Sequence, residues 1–290
     1  MKKRNWILLP LIGLCLAVFY GYKIYDSART DTNPPVIHIP AEALELSVNA
    51  PKGILMQDVT ANDDVSGDVT DSIILESIRL LDDDGNISVG YAAFDSAGNV
   101  AKTQRQVRYN NYRSPRFTLN SPMLYASGRE FDVLDSIGAQ DAIDGDISHH
   151  IRATLTENTS ISSVGTHPVQ FQVTNSMGDT TTEILPVEVY SSDKYNAALT
   201  LKEYLIYLPA GGIFNAKFYP DTFTFNRETY ELGTALPDDY SLEIIGDVDT
   251  RAPGVYPVSY TLTYTETNSR TGKVLNEYVG YSQLIIIVEG

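Results

Sequence analysis

The sequence predicts an all-β chain: tandem β-sandwiches preceded by one N-terminal transmembrane helix. Three observations predict it. First, a block occurs twice, as ANDDVSGDVTDSI at 61–73 and AQDAIDGDISHHI at 139–151. Each is followed by a second shared pattern, VGYAAFDSAGNVAKT ending at Thr103 and VQFQVTNSMGDTTTE ending at Glu183. Asp63 matches Asp141 and Asp68 matches Asp146, 78 residues apart, and Gly98 matches Gly178, 80 apart. A fixed period of that length marks tandem copies of one domain. Second, apolar and polar residues alternate in short runs from Val36 onward (VIHIP, LELSV, QRQVRY), the period of half-buried strands. Third, turn formers separate these runs at intervals of roughly 8–12 residues, the rhythm of a sandwich.

The first element is apolar. MKKRNWILLPLIGLCLAVFYGYKIY opens on Lys2, Lys3 and Arg4 and runs apolar from Trp6 to about Tyr22, near the lower length limit for a membrane span. Trp6, Tyr20, Tyr22 and Tyr25 sit at its ends, where amphipathic rings prefer the interface, and the basic start places the N-terminus in the cytoplasm. A cleaved signal peptide would need a small-x-small site after the apolar run, and none follows. A lipid anchor would need a small residue before Cys15, where Leu14 stands. Residues 1–25 are therefore read as an uncleaved signal-anchor in the cell membrane, single-pass, with the C-terminal domains outside.

Residues 26–35 (DSARTDTNPP) read as a short polar linker. Domain 1 then covers 36–112, domain 2 covers 113–192, and 193–290 reads as a diverged third copy. Its VDTRAPGVYPVSYTLTY aligns with ISSVGTHPVQFQVTN, so that Gly254 matches Gly165 and Pro257 matches Pro168. The acidic block is missing there, and TETNSRTGKVLNEY reads as an extended hairpin. The closing strand QLIIIVEG is apolar throughout, as strands buried on both faces are.

Composition narrows the function. The net charge is −16, although residues 1–25 carry four basic residues and no acid, so the exterior is strongly acidic. Such a surface repels nucleic acid. The only cysteine, Cys15, lies in the apolar run. An exported body without disulfides suits a bacterial envelope better than a eukaryotic secreted protein.

The sharpest constellation is Asp63, Asp64, Asp68 and Asp95 in the first copy, with Asp141, Asp144, Asp146 and Asn175 as second-copy counterparts or neighbours. Closely spaced loop carboxylates supply the oxygen ligands that calcium needs, although the spacing is not that of an EF-hand. The same residues also cap turns through side-chain to backbone hydrogen bonds, with Gly67, Gly145, Gly98 and Gly178 supplying positive φ. Both readings stay open, with calcium as the one candidate cofactor. Asp82-Asp83-Asp84-Gly85-Asn86 reads as a hairpin turn with solvated charges. No zinc-hydrolase histidine pair, nucleophile elbow, phosphate-binding loop or dinucleotide fingerprint occurs, and no catalytic residue is assigned. Ten tyrosines crowd residues 197–290; Tyr219 and Tyr240, beside turn residues, are the candidates for an exposed ligand-binding surface, with cross-strand packing as the alternative.

These motifs (D-x-x-x-G-D-[IV]-[ST], then V-G-x-x-x-V-x-[YF], then D-S-x-G-N) resemble the bacterial Ig-like repeat family described as DUF5011 or Big_3. They are also similar to HYR and cadherin-like modules of surface proteins. The resemblance covers residues 36–190 well and 197–290 weakly. It implies extracellular Ig-like sandwiches used as spacer, stalk or adhesive units, and cadherin-like modules bind calcium through such carboxylates. The expected function is a non-enzymatic, membrane-anchored bacterial cell-surface protein with a stalk or adhesion role and a polysaccharide or protein partner. Two alternatives are a carbohydrate- or cell-wall-binding envelope protein and an extracytoplasmic subunit of a membrane assembly.

Overall fold

The computed structural model describes residues 8–27, 31–156, 161–233 and 239–290. It divides into two compact units, 1–112 and 113–290. The first begins with the helix Leu8–Ser27. From Leu11 to Tyr25 its apolar side chains are exposed all round. Among the described residues no helix is long and apolar enough to cross a membrane. The expected span is therefore not found; Lys2, Lys3, Arg4 and Trp6, on which part of that expectation rests, lie outside the described residues.

The remainder of the first unit is a seven-stranded sandwich. Val36–His38, Thr60–Asp63 and Gly67–Asp68 make one sheet. Leu44–Leu46, Val100–Tyr109, Asn86–Phe94 and Ile74–Leu80 make the other, in that order. Leu44–Leu46 runs parallel to Val100–Tyr109, and the other neighbours are antiparallel. Alternation does the sorting: in Asn86–Phe94, Ile87, Val89 and Tyr91 are fully buried, because successive strand side chains point to opposite faces.

The second unit holds two more sandwiches with the same strand order. Arg116–Leu119, Ile137–Asp141 and Gly145–Asp146 face Leu124–Ala126, Thr180–Tyr190, Gly165–Thr174 and Arg152–Leu155. Ala198–Leu201, Pro220–Phe225 and Glu228–Glu231 face Leu205–Pro209, Val274–Glu289, Gly254–Thr267 and Tyr240–Ile245. The diverged third copy thus keeps the topology after losing the acidic block. Its Gly254–Thr267 and Val274–Glu289 strands form the extended hairpin. In all three sandwiches the last three strands run as a meander, a departure from the Greek-key connections of immunoglobulin domains.

The two sandwiches of the second unit are not independent. Leu284, Ile286 and Val288 enter the core of the third sandwich with Phe223, Tyr260 and Leu262. Ile285 and Ile287, on the opposite face of the same strand, enter the core of the second with Phe117, Val169 and Phe171. Leu205, Tyr207 and Val255 pack beside them. This explains why residues 284–288 of QLIIIVEG are all apolar: both faces meet a core. Polar contacts follow the same seam. The Phe117 amide donates to Tyr207 Oη at 2.8 Å, Arg116 stacks over the Tyr207 ring and pairs with Glu289, and Tyr281 Oη donates to Glu188 at 2.5 Å. Burial, foremost, drives the Tyr207 phenol well above its ordinary value.

Tyr207→Phe should keep the ring packing but strip the Phe117 amide of its acceptor. An unsatisfied buried donor costs about 1–3 kcal/mol. A urea melt of the full chain followed by hydrogen exchange in Arg116–Leu119 should show that loss.

Candidate metal centre

The first-copy carboxylates do not act as a single group. Asp68 is exposed, and its Oδ1 accepts the Thr70 amide at 3.0 Å. Hydrogen bonding from Thr70 holds its carboxyl below the ordinary value. Asp64 is exposed and accepts from Asn33 Nδ2 at 3.1 Å. Both sit outside the cluster. Asp63 and Asp95 are buried, at 4% and 9% exposure, and they converge with a third residue, Asp31. One oxygen from each comes within 4.8 Å of the others.

The loops dictate this convergence. Asp63 ends a strand, and its Oδ1 accepts the Val65 and Ser66 amides at 3.1 and 2.7 Å, closing the turn into Gly67–Asp68. Asp95 follows directly on Asn86–Phe94 and accepts Asn99 through both oxygens, the amide at 2.8 Å and Nδ2 at 2.7 Å. Burial pushes the Asp95 carboxyl up, but the bonds from Asn99 and from the Ala97 and Gly98 amides outweigh it, and the group rests below its ordinary value. Asn99 Nδ2 also donates to the carbonyls of Asp31 and Asn33, at 3.1 and 3.2 Å. Pro35 is buried. Residues 31–35, expected as part of a free linker, are therefore laid against the sandwich, and this is how Asp31 reaches the pocket.

The second copy is wired differently. Asp141 Oδ1 accepts the Ile143 and Asp144 amides, both at 2.8 Å. Its Oδ2 accepts Asn175 Nδ2 at 3.1 Å, where the first copy has Asp95. Asp144 accepts the Ser176 amide and hydroxyl at 2.6 and 2.7 Å, and Asp146 accepts the Ser148 amide at 3.0 Å. Asp144, like Asn175 Nδ2, ties one loop to another, whereas Asp141, Asp146 and Asn175 accept amides of their own turns. The first-copy turn Asp82–Asn86 behaves likewise: Asp82 accepts the Asp84 and Asn86 amides and Asn86 Nδ2.

Tyr219 and Tyr240 are half-buried rather than open. Tyr219 stacks on Phe214, and Tyr240 packs against Phe223 and Tyr264. Cross-strand packing claims them because the third core is aromatic. The exposed aromatic surface of that sandwich lies instead at Phe218 and Tyr230, 61% and 37% exposed. A cleft of about 410 Å³ lies elsewhere, lined by His149, His150, Arg152, Gln172 and Thr174.

Fold and site together define a tandem β-sandwich chain with, among the described residues, one acidic pocket of three carboxylates. No family model matches it, so the resemblance to DUF5011 gains no support from that side. A 99-residue stretch is 34% identical to an uncharacterized 81.3 kDa protein of Acholeplasma phage L2, covering 34% of this chain and 13% of that protein. The chain thus spans only a small part of that relative's length. Among solved structures, the carbohydrate-binding module CBM51-2 in complex with GlcNAc and INT domains of Clostridium perfringens ZmpB overlay with a TM-score of 0.22 at 15% identity, over 88% of this chain and 41% of that one. The protocadherin gamma B4 extracellular domain gives 0.20 at 14% identity, over 89% and 49%. Overlays this weak say nothing about ligands.

Proposed function

We propose that the chain is a non-enzymatic, membrane-anchored bacterial cell-surface protein whose Ig-like sandwiches serve as a stalk and present the third sandwich to an external ligand. The observation that carries this reading is the core shared by the second and third sandwiches through Ile285 and Ile287. A joint built from buried apolar side chains holds two sandwiches as one stiff body, which suits holding a surface in place and offers little to an opening and closing catalytic cycle. The repeated carboxylates support the non-enzymatic reading, because in the second copy they are spent on loop amides. Anchoring is supported by the helix Leu8–Ser27, whose apolar side chains from Leu11 to Tyr25 are exposed all round. A helix of that kind belongs in lipid or against other apolar helices.

A carbohydrate or wall ligand is the favoured partner, on the strength of Phe218 and Tyr230, because exposed aromatic rings stack on sugars and anchor partners. The test is co-sedimentation of the full chain, in mild detergent, with purified cell-wall and capsule material, beside Phe218→Ala and Tyr230→Ala. Pelleting that these variants weaken is expected. Absence of pelleting by the parent sinks the glycan reading, and crosslinking in intact cells then seeks a protein partner. Extraction of the protein from membranes by alkaline carbonate would overturn the anchor.

A further inference from the structure

We infer that the first sandwich binds one calcium ion between Asp31, Asp63 and Asp95, and that the second sandwich binds none. Three carboxylates meeting in one pocket would not by themselves make a site. The added observation is the state of Asp63. It is 4% exposed, its Oδ1 is taken by two turn amides, and its Oδ2 is buried with no hydrogen-bond partner. Asp31 Oδ2 is also buried without a partner. Buried polar groups are ordinarily satisfied, and a buried carboxylate oxygen left alone beside two further carboxylates is costly.

The second copy shows what the chain does where no cation is needed. The same oxygen, Asp141 Oδ2, receives an N–H from Asn175. At the equivalent place the first copy puts Asp95, a second carboxylate with no proton to give. One copy satisfies the buried aspartate with an amide, and the other requires a positive charge from outside.

The chemistry of the pocket selects the ion. Its donors are all oxygen, with no histidine or cysteine, which excludes a preference for zinc or copper. Calcium holds oxygens at about 2.3–2.6 Å, so oxygens on opposite sides of it stand about 5 Å apart, and a 4.8 Å cluster can close around it. Three carboxylates borne on loops suit calcium's flexible coordination better than magnesium's strict octahedron. Because Asp31 lies ahead of the first strand, the ion would also clamp residues 31–33 to the sandwich, adding to the hold of Asn99.

The test titrates calcium chloride into the purified full chain by calorimetry and follows the thermal melt in calcium, in magnesium and in chelator. One ion per chain is expected, with a dissociation constant on the order of 10⁻⁴–10⁻³ M, the range of extracellular calcium modules. The melting temperature of the first unit should rise with calcium. Asp95→Asn, which copies the arrangement of Asp141 and Asn175, should abolish the heat and the calcium response while melting no lower than the parent in chelator. Asp31→Asn reads the same loss should Asp95→Asn fail to fold. The assignment is overturned by a parent without calcium heat, by a melt that chelator leaves unmoved, by binding that survives both substitutions, or by an equal response to magnesium.

Discussion

Ile285→Ala is expected to destabilise the second and third sandwiches together, by about 2–5 kcal/mol, the usual cost of emptying a buried aliphatic site. The side chain is 1% exposed and belongs to the core of Phe117, Val169 and Phe171, although its strand is hydrogen-bonded into the third sandwich. The cavity would open under the second sandwich while the lost packing loosens the strand that closes the third. Ile286→Ala removes the same atoms from the other face, where the third core alone lines the hole. Hydrogen exchange of the full chain separates the two. Amides of Arg116–Leu119 and Gly165–Thr174 should exchange faster in Ile285→Ala and keep most of their protection in Ile286→Ala. Equal patterns in the two variants would contradict a core held in common.

Gly85→Ala is the second large effect, expected to cost the first sandwich about 2–5 kcal/mol. Gly85 has φ +83°, and an added Cβ would stand 2.6 Å from the Tyr109 carbonyl oxygen and 2.6 Å from Tyr112 Cβ. The left-handed backbone costs an L-residue about 1–2 kcal/mol, and overpacking adds about 1–3 kcal/mol. The carbonyl of Gly85 also accepts the Tyr109 amide at 2.8 Å, so the residue cannot swing away without breaking the strand end. Gly98→Ala is the control. Its φ is +88°, but nothing lies within 4 Å of the added carbon, so only the conformational part should appear. Chemical denaturation followed by exchange in Asn86–Phe94 measures both; a loss in Gly85→Ala no larger than in Gly98→Ala would remove the steric argument.

Much of this architecture was legible in the sequence. The doubled block announced repeated domains, and Gly254 with Pro257 pointed to a third copy whose strand order matches the others. The apolar QLIIIVEG run signalled burial on two faces, but no local pattern says which body covers the second face. The partner there is Phe117, far away along the chain. The acidic pocket was half legible. Asp63 and Asp95 stood out through their repeat positions, whereas Asp31 sat in a polar, proline-ended stretch that reads as linker and shows no periodicity. One available signal was the exchange of Asp95 for Asn175 between copies: a difference at a repeated position marks where two otherwise equal loops do different work. Tyr219 and Tyr240 left two readings open because tyrosine beside a turn is as well suited to an aromatic core as to an exposed platform.

The strand Val274–Glu289 also sets an order of events. Phe117, Val169 and Phe171 are made early, but Ile285 and Ile287, which complete their core, are made more than a hundred residues later. A chain emerging from a ribosome or an export channel therefore holds the second sandwich open until the closing strand arrives, since long-range pairings must wait for loop closure. Removing residues 197–290 would leave that sandwich with a bare apolar surface. Point substitutions, rather than shortened chains, are the fair way to ask whether the third sandwich recognises a ligand.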